Sequence, residues 1–331
     1  MVNLATKYIT YIFFLQVLIL PIRLSFWITA GASNPTAIVH FMEMTGMKNL
    51  VYGDYDQEEL DLEYDMRRRC PHFAETFEAC EVHNQRLISN FECRLDVEFG
   101  DKPGEKMDIW PGRGNSPIML FIHGGYWRAF DKAMFRFVAE RFVEAGACVV
   151  LNNYDLCPTV TMDEITLQNR KCLAWIYRNA AGIGGDAGRI HVTGHSAGGH
   201  LTGMLMATRW ADYDLPFDVV NGAVPLSGLF DLEPLRRSYL NADLKMDEEM
   251  TERNSPIHHL PDWMPPTVVA VGGGETDEFR RQSRIYVDAC RKKGFPVSYL
   301  EVSDCDHVHV AGDYRNSLSP LTATLMAQMG L

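Results

Sequence analysis

Ser196, His307 and an acidic side chain near residue 275 are the groups of this 331-residue chain that could together cleave an acyl bond. A serine hydroxyl attacks a carbonyl only when a base takes its proton, and a carboxylate must orient and stabilise that base. Ser196 lies in Gly194-His195-Ser196-Ala197-Gly198, a G-x-S-x-G nucleophile elbow. Arg189-Ile190-His191-Val192-Thr193 before it reads as a strand, and Gly199 to Ala207 after it as a helix. The glycines have a physical reason. So sharp a strand-to-helix turn strains the serine backbone, and larger neighbours would collide with the strand and helix around it. The strain lifts the hydroxyl clear of the sheet, and the helix N-terminus favours the negative charge that develops there.

The partners are expected downstream. Thr267 to Val271 is an apolar strand that ends in Gly272-Gly273-Gly274-Glu275-Thr276-Asp277. Glu275, three residues after the first of these glycines, is the first candidate for the acid. Asp277 is the alternative if Gly274 starts the count, and without a catalytic role either would be a solvated turn residue or a cap for the helix near Glu278. A further strand, Val297 to Val302, leads into Asp304-Cys305-Asp306-His307-Val308-His309. His307 is the expected base and His309 the alternative. The H-x-H spacing also suits a metal, but no third ligand of matching logic is evident, so no metal is expected. Pro117 to Ile122 reads as a buried strand, followed by His123-Gly124-Gly125-Tyr126-Trp127. Glycines there let backbone N–H groups approach a tetrahedral intermediate, so Gly124, Gly125 and Ala197 form the expected oxyanion hole.

These parts need a sheet to carry them. Strands are expected at Leu87 to Phe99, Glu105 to Trp110, up to Ile122, at Cys148 to Asn152 and at the end of Val219 to Leu226. Helices are expected at Lys132 to Ala145, Ile165 to Ala180, Glu278 to Lys293 and Leu318 to Met329, with a charged helical stretch from Glu58 to Phe77 that offers Tyr64 and Arg68 as cap residues over the site. Strands alternating with helices predict an α/β fold, a mostly parallel sheet with helices on both faces. Residues 232–264 are polar and irregular, and read as a lid-like insertion within one domain spanning 36–331.

Residues 1–35 form an apolar segment that reads as a signal peptide, a membrane anchor or a dispensable extension. The cytoplasm is the expected compartment, with secretion or anchoring through that segment as the alternative. A net charge of −12 disfavours nucleic acid and anionic membrane as partners. The eight cysteines contain no C-x-x-C pair. Cys148 and Cys172 look like small buried hydrophobes, and a Cys70–Cys80 disulfide has nothing to support it.

The chain resembles the α/β-hydrolase superfamily and, within it, the kynurenine formamidases (arylformamidases). The narrower resemblance rests on His123 to Trp127 and on Gly194 to His200. It rests also on Ser227-Gly228-Leu229-Phe230-Asp231-Leu232-Glu233-Pro234-Leu235, on Glu275 to Ser283 and on Asp306-His307. It covers about residues 58–325, and Tyr126-Trp127 and the Glu278-to-Ser283 run are its more specific parts. It implies an α/β-hydrolase fold and hydrolysis of N-formyl-L-kynurenine to L-kynurenine and formate, a step of tryptophan catabolism. The implied triad is Ser196, Glu275 and His307, with no cofactor. The implied partner is a small aromatic formamide, for whose leaving group Tyr126 and Trp127 are candidate stacking surfaces. Packing beneath the oxyanion loop is their alternative role, and a homodimer is left open. Members with aspartate as the acid carry it where this chain has the longer Glu275. A carboxylesterase for short-chain esters is the competing activity, although Tyr126 replaces the third glycine of the His-Gly-Gly-Gly motif of hormone-sensitive-lipase-like esterases. A non-catalytic binding protein on this fold is a third reading, against which stand the retained serine and histidine.

Overall fold

Apolar side chains crowd both faces of the central strands, which forces helices onto both sides of the sheet. The computed structural model describes residues 48–331. Residues up to Gln57 form a unit separate from Glu58–Leu331. In its described part, Tyr52 and Tyr55 bridge across a turn. The apolar segment and the boundary expected at residue 35 lie outside the described residues. Among the described residues no helix is long and apolar enough to cross a membrane.

The strands are β1 (Arg94–Glu98), β2 (Lys106–Trp110), β3 (Ser116–Ile122), β4 (Cys148–Asn152), β5 (Gly185–His195), β6 (Gly222–Leu226), β7 (Thr267–Gly272) and β8 (Val297–Val302). They form one eight-stranded sheet in the order β1-β2-β4-β3-β5-β6-β7-β8. β2 runs antiparallel to its neighbours β1 and β4, and the pairings from β4 through β8 are parallel. Parallel strands in register bring their carboxyl ends to one edge, where ligands bind in such sheets. Ile122 pairs with Gly194, His195 with Leu226 and Gly272 with Val302. The segments that begin at His123, Ser196, Ser227, Gly273 and Ser303 therefore all leave the sheet along that edge.

The helices are α1 (Gln57–Tyr64), α2 (Met66–Arg69), α3 (Phe73–Asn90), α4 (Glu140–Glu144), α5 (Met162–Asn179), α6 (Ala197–Met206), α7 (Glu233–Arg237), α8 (Asn241–Leu244), α9 (Glu248–Arg253), α10 (Asp277–Lys292), α11 (His309–Gly312) and α12 (Pro320–Met329). Every residue of β3 is buried. Met119 and Phe121 point to the face packed by Leu87 of α3 and by Leu321 and Leu325 of α12. The alternating residues Ile118, Leu120 and Ile122 are equally buried. They face the opposite side, and α6 packs on β3, β5 and β6.

Three expectations change. Leu87 is not in a strand: α3 continues to Asn90 and β1 starts only at Arg94. Cys80, Asn84 and Leu87 are buried at helical spacing along α3, a period the apolar Leu87-Ile88 pair hides when read alone. The stretch from Lys132 begins as a 3₁₀ helix, Lys132–Ala139, capped by the Asp131 carboxylate on the Ala133 N–H. Residues 232–264 are not irregular throughout, because α7, α8 and α9 lie within them and Leu235, Leu240, Leu244 and Met246 anchor them inside. Cys70 and Cys80 are separate free thiols, and Cys148 and Cys172 are buried as expected.

Candidate active site

Ser196 occupies the turn between β5 and α6 with φ 60° and ψ −116°. That left-handed conformation is costly for any residue with a Cβ and persists only where the surroundings enforce it. The enforcement is visible. The Ser196 N–H donates to the Leu226 carbonyl at the end of β6, and its carbonyl accepts from the His200 N–H. Gly198 lies so close to the end of β3 that a Cβ there would stand 1.9 Å from the Ile122 carbonyl oxygen.

Glu275 is held by three donors. Its Oε1 accepts from Ser227 Oγ at 2.5 Å and from the Gly272 N–H at 2.7 Å. Its Oε2 lies 2.6 Å from His307 Nδ1. Both partners are buried, so this charge-assisted bond is shielded from water. Asp277 turns away: it pairs with Arg280 at 2.5 Å and its side chain is 76% exposed. His309 is also turned out, with Nδ1 against Asp306 at 2.9 Å and Nε2 near Thr76. The structure therefore brings Glu275 to His307 and leaves Asp277 and His309 outside. Ser196 and His307 line one cavity of about 590 Å³, within the roughly 300–1,000 Å³ of small-molecule sites. No hydrogen bond joins the Ser196 hydroxyl to the ring in this conformation.

The glycine loop lies directly on the serine. A Cβ on Gly124 would be 3.2 Å from Ser196 Cβ, and Gly125 has φ +112°. His123 Nδ1 sits 2.7 Å from the Gly124 carbonyl oxygen. A trans peptide points its N–H opposite its carbonyl, so the Gly125 N–H faces away from His123. Among the described residues the N–H groups of Gly124, Gly125 and Ala197 have no acceptor, which leaves them free for an oxyanion. The His123 ring stacks on Tyr154 at 4.3 Å, and burial holds it below the ordinary histidine pKa.

Tyr126 and Trp127 part company. Tyr126 lines the cavity, with its hydroxyl donating to the Tyr64 carbonyl at 2.9 Å. Trp127 is fully buried and does not line it; its indole N–H donates to His200 Nδ1 at 3.2 Å. The stacking surface expected of Trp127 is thus a packing contact beneath the loop. The cavity's aromatic wall comes instead from Phe73, Phe77, Phe130 and Phe135. Phe73 and Phe130 stack at 5.6 Å, and Phe77 meets Phe135 edge-on at 5.3 Å. Phe73 and Phe77 lie four apart on α3, the spacing of one helix face, and that was the available signal. Of the expected cap residues, Tyr64 is buried and donates to Glu278 at 2.8 Å. Arg68 is exposed beside Asp65, and the cavity is lined by Asp65, Met66 and Arg67 instead.

His195 is buried between the elbow and the histidine loop, with Nε2 2.7 Å from the His307 carbonyl. Burial, then the neighbouring His307 ring, hold its pKa well below the ordinary value. It stays neutral and ties the loop that carries His307 to the strand that carries Ser196.

Sheet order and the sequence of elbow, acid and histidine make this chain a hydrolase of the α/β-hydrolase fold. A family model described as BD-FAE matches residues 107–284. Kynurenine formamidase of Danio rerio is 32% identical over 288 residues, covering 83% of this chain and 97% of its own. The Salmo salar enzyme of that name is 34% identical over 250 residues, covering 71% and 82%. This chain belongs to the kynurenine formamidase family. Among solved structures, a candidate thioesterase from Silicibacter sp. tm1040 superposes with a TM-score of 0.71 at 28% identity, covering 81% of this chain and 99% of the other.

Proposed function

We propose that the protein hydrolyses the formamide of N-formyl-L-kynurenine to L-kynurenine and formate. The observation that carries this reading is the buried Glu275–His307 pair at 2.6 Å, facing a cavity that also holds Ser196 and an aromatic wall. His307 takes the Ser196 proton as the oxygen attacks the formyl carbon. The N–H groups of Gly124, Gly125 and Ala197 hold the resulting oxyanion. Collapse of this intermediate breaks the C–N bond, and His307 returns the proton to the departing aniline nitrogen. Glu275 stabilises the imidazolium in between. Water, deprotonated by His307, then attacks the formyl-serine, and formate leaves as the serine regains its proton. The formyl group needs little room, while the aniline ring suits the phenylalanine wall. Eight free thiols suit a reducing compartment such as the cytoplasm.

The test compares N-formyl-L-kynurenine with a short-chain nitrophenyl ester, using the full chain and its Ser196→Ala variant. The expected result is serine-dependent turnover with a strong preference for the formamide. Ester turnover alone would move the assignment to a carboxylesterase. Full activity in Ser196→Ala would remove the mechanism.

A further inference from the structure

The mouth of the cavity carries charges that the acyl-transfer chemistry does not use. Two guanidinium groups, Arg67 and Arg128, line it together with two carboxylates, Asp65 and Asp243, around Tyr239. These groups come from three separate segments: α2 with its cap, the loop after β3, and the α7–α8 region. Arg128 pairs with Asp243 and lies over the Tyr239 ring, 5.6 Å from its centroid. Arg67 has no hydrogen bond or ion pair among the described residues. Asp65 keeps one oxygen on the Arg68 N–H and the other 3.8 Å from the Arg68 guanidinium. The Tyr239 hydroxyl is raised by burial and then by Asp65, and lowered by Arg128, so these charges share one local field.

A neutral ester or a plain anilide gains nothing from such a mouth. A simple anion would meet the two carboxylates, and a simple cation the two guanidinium groups. A ligand bearing both charges on neighbouring atoms meets a partner for each. We infer that this mouth recognises the zwitterionic α-amino acid group of the substrate, with Arg67 and Arg128 taking its carboxylate and Asp65 and Asp243 its ammonium. The inference rests on the formamidase reading, and it adds the residues that would separate an amino-acid formamide from other aryl formamides. Burial fits this division: Ser196 and His307, where the formyl group would react, are buried, whereas Arg67, Tyr239 and the Arg128–Asp243 pair reach solvent. Guanidinium groups suit the first partner because their planar fork matches a carboxylate with two parallel bonds.

The experiment measures kcat and KM for N-formyl-L-kynurenine and for 2′-formamidoacetophenone, which keeps the formanilide ring and ketone but lacks the amino acid group. The full chain is compared with Arg67→Ala and Arg128→Gln. Losing a charge-assisted bond corresponds to about a 10–100-fold change. The expected result is a rise of that order in KM for formylkynurenine, with kcat much less affected, so that the preference over 2′-formamidoacetophenone collapses. Arg67 is exposed, so its replacement spares the fold even if Arg128→Gln disturbs Asp243. As a binding readout free of turnover, calorimetry on Ser196→Ala should show kynurenine binding more tightly than 2-aminoacetophenone, and Arg67→Ala in that background should erase the difference. Equal preference in wild type and variants, with serine-dependent hydrolysis of both formamides, overturns this inference alone. Hydrolysis of neither formamide overturns the formamidase reading and this inference with it.

Discussion

At the scale of single residues, Glu275, the proposed acid, shows how a longer side chain is accommodated. Glu275 reaches one methylene further than aspartate, and the freedom this adds is removed at Oε1. Ser227 Oγ and the Gly272 N–H both donate to that oxygen, so Oε2 alone faces His307. Glu275→Gln would keep the amide oxygen on these two donors and turn its NH₂ toward Nδ1. The ring would then carry its proton on the nitrogen that should face the serine. Wrong-tautomer variants of such triads lose about 10⁴-fold in kcat, and a loss on the order of 10³–10⁴ is expected here. Asp277→Asn, which touches only an exposed ion pair with Arg280, should stay within a few-fold. Steady-state kinetics on both variants decide the matter, and comparable losses in the two would contradict the assignment. The sequence alone leaves Glu275 and Asp277 open because both follow glycines at plausible offsets. The feature that separates them is Ser227, 48 residues earlier in the chain, and no local pattern announces that contact.

At the scale of elements, the elbow is the part most completely written in local sequence. Its glycines, its flanking strand and its helix all lie between Gly185 and Met206, and the structure forms it as expected. The roof of the cavity is the opposite case. Arg67, Arg128 and the Tyr239–Asp243 pair come from segments far apart in sequence, each unremarkable in its own window. Trp127 was equally beyond local reading, because its burial depends on His200 across the elbow. The elbow also stores strain that can be measured. Ser196 has φ 60° and ψ −116°, a conformation costing about 1–3 kcal/mol for a residue with a Cβ. Alanine at this position keeps the strain, whereas glycine relieves it at an entropic cost of roughly 0.5–1 kcal/mol. Both variants should be inactive, with Ser196→Gly the more stable by about 1 kcal/mol in urea unfolding. If Ser196→Ala proves the more stable of the two, the backbone strain is not a significant store.

At the scale of the whole molecule, the buried histidines tie the fold to pH. His200, a residue of α6 itself, is fully buried, donating from Nε2 to the Asn254 carbonyl at 2.6 Å and accepting the Trp127 indole N–H on Nδ1. A second proton on the ring would set two N–H groups against each other, and no carboxylate lies beside it to compensate. Burial accordingly brings its pKa down to about 4. His123, His191 and His195 are also lowered, in each case chiefly by burial. The unfolded chain takes up these protons near the ordinary value of about 6.5. Between that pH and the folded pKa it therefore binds more protons than the native state, and stability rises with pH through this window. The contribution is fully present above about pH 6.5 and is lost as the pH falls toward 4. For His200 alone the loss between pH 7 and 4.5 is ~2–3 kcal/mol. Urea unfolding across this range should show a steep fall in midpoint for the native sequence. His200→Gln keeps a donor and an acceptor but cannot titrate. It should be less stable at pH 7, with a shallower fall on acidification, because one of the proton-uptake sites of the unfolded chain is gone. Parallel curves for the two proteins would mean that His200 does not contribute to the acid sensitivity of the fold.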